Sequence, residues 1–313
     1  KRPMRVFLSH RYGSPEVNLR FFELFSAEAL VQFSVDYGEL GTNVTRLERL
    51  IREADAFIGL YPIGVPASQE VTPEEARKQS RYFRLELDLA IRAELPAIVF
   101  ADERYGNVLD CPSSIPQHTF DIQEIEAAGD GRQLQVFAQA FQAFCQTVAA
   151  YQKYRVHQAL MTGRRRAYAL LLPPHPYGVE LRRRLSEVLQ ASGREVVDLG
   201  WPPRLGTRFY RRLGDVDMVV LDLGQTPESA AIAGFLHGHF VPSLRLSHRG
   251  ARPTQTPAVQ GHPLFADFEV GYAKDIVEWT SEESLLLGLR SRLKTLLSPQ
   301  RLIGDASEAL AYF

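Results

Sequence analysis

Cysteine is nearly missing from this chain: 2 of 313 residues, Cys111 and Cys145, and neither stands in a CxxC pair or other ligand spacing. That scarcity excludes a disulfide scaffold and a thiolate metal cluster, and it points to a reducing compartment with structural thiols. Long apolar runs are missing too. No stretch approaches the roughly 18 apolar residues of a membrane span, and no charged-then-apolar leader opens the chain, so a cytoplasmic protein without a membrane partner is expected. Nor is there an excess of either charge, since 36 Lys and Arg oppose 37 Asp and Glu. A net charge of −1 supplies no general basic field for nucleic acid or an anionic bilayer. The chain begins at Lys1 without an initiator Met, which points to a processed product or a piece of something longer carrying further domains.

What is present reads as ordinary globular protein, with 45% hydrophobic and 10% aromatic residues, 22 Gly and 19 Pro. The length favours two domains. From residue 5 onward, short β-type apolar runs alternate with amphipathic helical spacing, the pattern of a parallel sheet covered by helices on both faces. Strands are expected at Arg5–Ser9, Phe33–Val35, Asp55–Leu60, Pro96–Ala101 and Thr119–Ile122. Pro73 is placed to start a helix through Ile91. A long helix from about Arg132 to Tyr154 closes the first set.

The basic stretch Gly163–Arg166 reads as a linker, after which the order restarts. Strands are expected at Tyr168–Leu172, Glu195–Leu199, Asp217–Leu223 and Val241–Leu246, with Val277 and Trp279 in a last one. Helices fill Gly178–Ala191, Pro227–His239 and Ser281–Leu297. Spacing supports a duplication: Val6 to Asp55 is 49 residues and Ala169 to Asp217 is 48. Asp55 to Pro96 is 41 residues whereas Asp217 to Pro242 is 25, so the first copy carries 16 more residues leading into and within the helix before its fourth strand. Ligands of open parallel sheets bind beyond the carboxyl ends of the strands, where such an enlargement would elaborate a site. The fold class expected is α/β, with two tandem doubly wound, flavodoxin-like domains, each on a five-stranded mainly parallel sheet. The boundaries are a domain at 1–155, a linker at 156–166, a second domain at 167–300 and a tail at 301–313.

Chemistry concentrates in Ser80-Arg-Tyr-Phe-Arg-Leu-Glu86. On a helix Tyr82 and Glu86 stand at i and i+4, so a ring and a carboxylate share one face and could stack a planar ring beside a ribose. The bland alternative is a surface glutamate paired with Arg81 or Arg84. The loop Ser9-His10-Arg11 follows the first strand, where Arg11 offers a fork suited to phosphate and Ser9 a hydroxyl; simple strand-to-helix connection is the alternative. Gly38 and Gly41, in the turn from Asp36, could gate a pocket, although turn geometry alone accounts for them. His237 and His239, at i and i+2, point to different sides of a helix and make a poor metal pair. The run Arg182–Arg184 reads as a solvated helix face.

Residues 1–155 resemble a TIR domain. The resemblance rests on Val6-Phe-Leu-Ser-His10 as opening strand, the Asp36–Gly41 turn in the place of the BB loop, Glu53-Ala-Asp-Ala-Phe-Ile-Gly59 as central strand, and Ser80-x-Tyr-x-x-x-Glu86, with Tyr82 where the family's enzymatic branch usually has Trp. In the branch that cleaves NAD, the glutamate contacts the nicotinamide-side ribose. The resemblance therefore implies N-glycosidic cleavage of NAD, as substrate and not cofactor, with Glu86 catalytic. It places Ser9, His10, Arg11, Asp36, Gly38, Ser80 and Tyr82 about the substrate, and requires no metal. It further implies activation by self-association into a homo-oligomer, with or without an activating partner, in bacterial defence or signalling. In the second copy the position matching Glu86 is Ile232, so that domain is expected to be a degenerate TIR-like fold without the site. A non-catalytic TIR-fold assembly module is one alternative. A nucleoside deoxyribosyltransferase-like enzyme is another, disfavoured by the bulky Arg81–Arg84 stretch before the glutamate.

Overall fold

The computed structural model describes residues 3–11, 13–29, 31–35, 44–127, 132–162, 167–201, 205–223, 227–249, 276–298, 301–304 and 308–309. Contacts gather the chain into two units, one of residues 1–36, 50–158 and 300–313, the other of 37–49 and 159–299.

In the first unit the order is β1 (Met4–His10), α1 (Pro15–Glu28), β2 (Val31–Val35), α2 (Val44–Glu53), β3 (Ala56–Tyr61), α3 (Pro73–Arg92), β4 (Ala97–Asp102), β5 (Gln117–Phe120), α4 (Ile122–Ala127) and α5 (Arg132–Thr162). β3 and β4 are buried along their whole length, as strands covered on both faces must be. The pairings β2-β1-β3-β4-β5 are all parallel. One face of the sheet is closed by an aromatic core in which Phe21 and Phe25 of α1 each lie 5.3 Å from Phe100 of β4, and Phe25 lies 4.6 Å from Phe141 of α5. Rings at these centroid separations add to the gain from burial alone.

The second unit contributes β6 (Ala167–Leu171), α6 (Val179–Gln190), β7 (Glu195–Asp198), α7 (Thr207–Gly214), β8 (Met218–Asp222), α8 (Pro227–Gly238), β9 (Ser243–His248), β10 (Ile276–Trp279) and α9 (Glu282–Leu296). Its sheet runs β7-β6-β8-β9-β10, again all parallel, with the same order of chain segments as the first. The registers agree as well. Val6 pairs with Ala56 and Tyr168 with Met218, fifty residues apart in each case. Phe57 pairs with Ala97 across forty residues, Val219 with Ser243 across twenty-four, which places the extra sixteen residues between the third and fourth strands of the first unit. Leu181, Leu185 and Leu189 of α6 and Leu285, Leu289 and Leu293 of α9 close one face. Gly288 lets α9 approach closely, since a Cβ there would lie 2.6 Å from Val277.

Three findings depart from the sequence reading. The first sheet has six strands, because β11 (Arg301–Ile303) pairs antiparallel with β2, Ile303 opposite Phe33; residues 301–303 are therefore a sheet edge and not a free tail. The first half of α2 groups with the second unit, where Thr45, Arg46 and Arg49 bond to Ser243, Ser298 and Leu296, Arg49 Nε donating to the Leu296 carbonyl at 2.7 Å. α4 and α7, short and with their polar residues dominating, have too few apolar positions to register as periodic. The expected linker Gly163–Arg166 and the turn with Asp36, Gly38 and Gly41 lie outside the described residues.

Candidate functional site

The chain brings a carboxylate, four hydroxyls and a guanidinium together beyond the carboxyl ends of β1 and β3. α3 carries the carboxylate. Its start is fixed by a capping box in which Thr72 Oγ1 accepts from the Glu75 amide at 3.3 Å while Glu75 accepts from the Thr72 amide at 2.9 Å, with Pro73 as first helical residue. From that start Tyr82 and Glu86 fall on one face, as the spacing predicts, and the Tyr82 hydroxyl donates to Glu86. Glu86 is only 3% exposed. Burial pushes its carboxyl up to about 7, against smaller opposing effects of Ser9 and Tyr82, which favour the ionised form. No cation among the described residues pairs with it.

Ser9 is the last but one residue of β1 and faces the Glu86 side. Its hydroxyl lies between Glu86 and Tyr61 and interacts with both. Tyr61, last residue of β3, stacks on Phe83 at 4.3 Å and 15° and lies over Gly59, where a Cβ would come within 2.6 Å of the ring. Tyr105, in the short helical turn after β4, meets Phe83 edge-on at 6.5 Å, and its hydroxyl stands near Arg11. Desolvation raises the phenol pKa of both tyrosines, so both stay protonated donors.

Arg11 is held from below. Its Nη1 donates to Gln79 Oε1 at 2.6 Å, the same oxygen accepts from the Gly64 amide at 3.0 Å, and Asn18 Nδ2 donates to the Arg11 carbonyl at 2.7 Å. The guanidinium lies directly against Gly64, where a Cβ would stand 1.9 Å from Nη2. The loop bearing Gly64 is anchored in turn by Arg104, which forks onto buried Asp102 at 2.7 Å and donates to the Pro66 carbonyl at 2.9 Å.

Not every residue singled out from the sequence joins this group. Ser80 is fully buried and its hydroxyl donates to the Arg77 carbonyl of its own helix at 3.1 Å. His10 follows Ser9 on the strand, so its side chain leaves on the opposite face. Its Nδ1–H donates to the Leu8 carbonyl at 3.3 Å, and burial lowers its pKa to about 4, which keeps the ring neutral. Asp36 and Gly38 lie outside the described residues. Sequence reasoning missed Tyr61, Tyr105, Asn18, Gly64 and Gln79. Only Tyr61 carried a signal, as a hydroxyl-bearing residue at the carboxyl end of an otherwise apolar strand.

In the second unit Ile232 is fully buried at the register matching Glu86. A different polar group occupies the carboxyl ends of its strands. The Tyr177 hydroxyl donates to Asp222 at 2.5 Å and accepts from Trp279 Nε1 at 3.2 Å, and His248 packs on Trp279 at 4.3 Å. Tyr177 and Trp279 are 1% and 4% exposed, a burial comparable to that of Ser9 and Glu86 in the first unit. Within Arg182–Arg184, Arg183 and Arg184 have the expected solvated character, in exposed pairs with Glu180, Glu187 and Glu282, whereas Arg182 bonds to Asp198 and to the Leu172 and Tyr177 carbonyls. Among the described residues no group of three His, Cys, Asp or Glu is placed to hold a metal, and no helix is long and apolar enough to cross a membrane.

No family model matches the chain, and no curated protein matches it. Among solved structures it is similar to a protein described as sugar binding from Salmonella typhimurium LT2, at 10% identity and TM-score 0.25 over 95% of this chain and 89% of that one. It is also similar to the C-terminal domain of glucosamine-fructose-6-phosphate aminotransferase from Francisella tularensis, at 9% identity and TM-score 0.24 over 97% and 87%. Likeness at this level assigns neither a family nor a ligand. The chain is a pair of flavodoxin-like α/β sheets, one of which carries the Glu86 group.

Proposed function

We propose that the first unit is a TIR-like enzyme that cleaves the N-glycosidic bond of NAD, with Glu86 as the catalytic carboxylate. The observation that carries this reading is a buried carboxylate, surrounded by hydroxyls, that has no cationic partner among the described residues. Keeping such a group without a counter-charge is costly, and a substrate that brings or develops positive charge next to it removes the cost. A nicotinamide riboside does both. Its pyridinium ring is cationic before reaction, and the bond from C1′ to the ring nitrogen breaks with charge moving onto the ribose as an oxocarbenium ion. Nicotinamide leaves neutral with the bonding electron pair, so no general acid is required. Glu86 in its ionised form stabilises the oxocarbenium electrostatically or captures C1′; water then adds its oxygen to C1′ and releases one proton, giving ADP-ribose. If a hydroxyl of the same molecule attacks instead, a cyclic product forms.

Arg11, braced by Gln79 and Gly64, supplies a fixed fork for the diphosphate. Tyr82, half-buried beside Glu86, orients the carboxylate and offers a ring face to the nicotinamide. Ionisation near pH 7 gives free-enzyme activity that rises with pH through about 7, and a bound cation moves that rise to lower pH. The second unit, with Ile232 in place of the carboxylate, serves structure or assembly. Self-association and a role in bacterial defence or signalling belong to the same reading.

The test is NAD consumption by the purified chain at high concentration, with and without a crowding agent, for wild type, Glu86→Ala and Glu86→Gln. Turnover in wild type and a loss of about 10²-fold or more in both folded variants is expected. Absence of turnover, together with absence of protection by NAD against thermal unfolding, overturns the reading in favour of an assembly module.

A further inference from the structure

We infer that α7 of one copy of this chain docks its arginines into the acidic groove between α1 and α4 of a second copy, in a head-to-tail contact. The contact is the one through which the self-association of the proposed function takes place, and in that respect it rests on that reading. Charge balances over the whole chain but not locally: residues 199–214 hold four Arg and no acid, whereas residues 105–131 hold five Asp and Glu and no Lys or Arg. α7 presents the basic block. Arg208, Arg211 and Arg212 fall on one face of the helix, all are exposed, and none has a partner among the described residues. The helix dipole favours Arg211 and Arg212 in the last turn, but it opposes Arg208 in the first, so α7 needs an anion from outside itself. Tyr210 packs on Phe235 at 4.5 Å and Phe209 on Tyr210 at 5.6 Å, so the rings beside these arginines are engaged and not free to stack bases. That favours a protein surface over a nucleic acid strand.

The chain carries a matching surface of its own. A groove of about 760 Å³ is lined by Glu16, Leu19, Arg20 and Glu23 of α1 and by Ile125 of α4. Glu16 and Glu23 stand two turns apart on one face of α1, and Glu124 of α4 is the neighbour of Ile125; all three are exposed and have no cation partner among the described residues. Arg20 stands between the two glutamates along α1 and bonds to neither. Leu19 and Ile125 give the groove an apolar lining on which the stems of arginines can lie. Opposite charge on two exposed surfaces of one chain selects a second copy as the partner. Because the two surfaces differ, the contact is heterologous, and each added copy brings a free α7 or a free groove to the next. Exposed ion pairs contribute little singly and are screened by salt, so assembly is confined to high concentration and low ionic strength.

Sedimentation velocity of the full chain at low and high salt tests this in wild type, in the double variant Arg208→Glu with Arg211→Glu, and in the double variant Glu16→Arg with Glu23→Arg. Wild type is expected to form species larger than a dimer at low salt and to dissociate at high salt. Each variant is expected to stay monomeric with an unchanged melting temperature. An equimolar mixture of the two is expected to give a one-to-one dimer and nothing larger, since only one groove and one α7 in that pair still match. If a reversal unfolds the chain, the neutral replacements by Gln at the same four positions take its place, each pair weakening association at least tenfold. Association of either variant as strong as that of wild type, failure of the mixture to pair, or a wild type monomeric at low salt overturns the inference. So does binding of a single-stranded oligonucleotide that only the α7 variant loses while its self-association persists, which would give the basic face to nucleic acid. Assembly without NAD turnover overturns the cleavage reading and leaves this contact standing; turnover without assembly overturns the contact and leaves the cleavage reading.

Discussion

Glu86 and His10 sit at one end of the first sheet, on opposite faces, and burial moves their pKa values in opposite directions. For Glu86 the folded state binds its proton more tightly than the unfolded chain does. Stability is therefore lost as pH rises from about 4.5 through about 7, an amount of about 3 kcal/mol once the carboxyl is fully ionised. Glu86→Gln, which keeps an acceptor for Tyr82 but cannot ionise, is expected to stabilise the chain by about 2–3 kcal/mol at pH 8 and hardly at all at pH 4.5. Urea unfolding at the two pH values measures it; equal effects would mean that the carboxyl is not held neutral by its surroundings. His10 works from the other side, costing stability as pH falls from about 6.5 through about 4, so the chain is squeezed from both directions. Neither shift could be read from the sequence. The i, i+4 spacing of Tyr82 and Glu86 was legible because helical geometry alone determines it, whereas Tyr61, stacked on Phe83, and Tyr105, edge-on to it, join the group only through tertiary packing.

At the scale of elements, the sixteen extra residues of the first unit are the loop and helix start that present Glu86. Two devices hold them: the Thr72–Glu75 capping box and the Arg104 fork on Asp102. Thr72→Ala is expected to cost about 1 kcal/mol by removing a cap, whereas Arg104→Ala leaves the Asp102 carboxylate buried, 1% exposed, without its cation and costs about 3–5 kcal/mol. Thermal or urea unfolding separates them, and a smaller loss for Arg104→Ala than for Thr72→Ala would show that the loop is not hung on that pair. Strands and long helices were legible because full burial leaves uninterrupted apolar runs and a single buried face leaves a 3.6-residue period. β11 was not, since three residues of an edge strand carry no period at all; nor was the allegiance of α2, whose Arg46 and Arg49 bond to residues about 250 positions away.

At the scale of the molecule, a shared strand order and matching registers make the second unit a copy of the first in architecture, with a Tyr177–Asp222–Trp279 network at its strand ends where the first has the Glu86 group. The antiparallel return of Arg301–Ile303 to β2 has a practical meaning for anyone dissecting this chain. In covalent terms residues 159–299 of the second unit are inserted between residues 158 and 300 of the first, whose sheet is completed only after they have been made. Cutting at the apparent boundary near residue 166 leaves the β2 edge bare, with unpaired amides and carbonyls that template pairing with another copy. Such a fragment is expected to self-associate in sedimentation, and a fragment whose residue 155 is joined by a short linker to residue 300 is expected to stay monomeric at the same concentration. If both behave alike, the closing strand is dispensable. Otherwise, clumping of the truncated piece would be an artefact of where it was cut, easily mistaken for the self-association by which the enzyme is proposed to switch on.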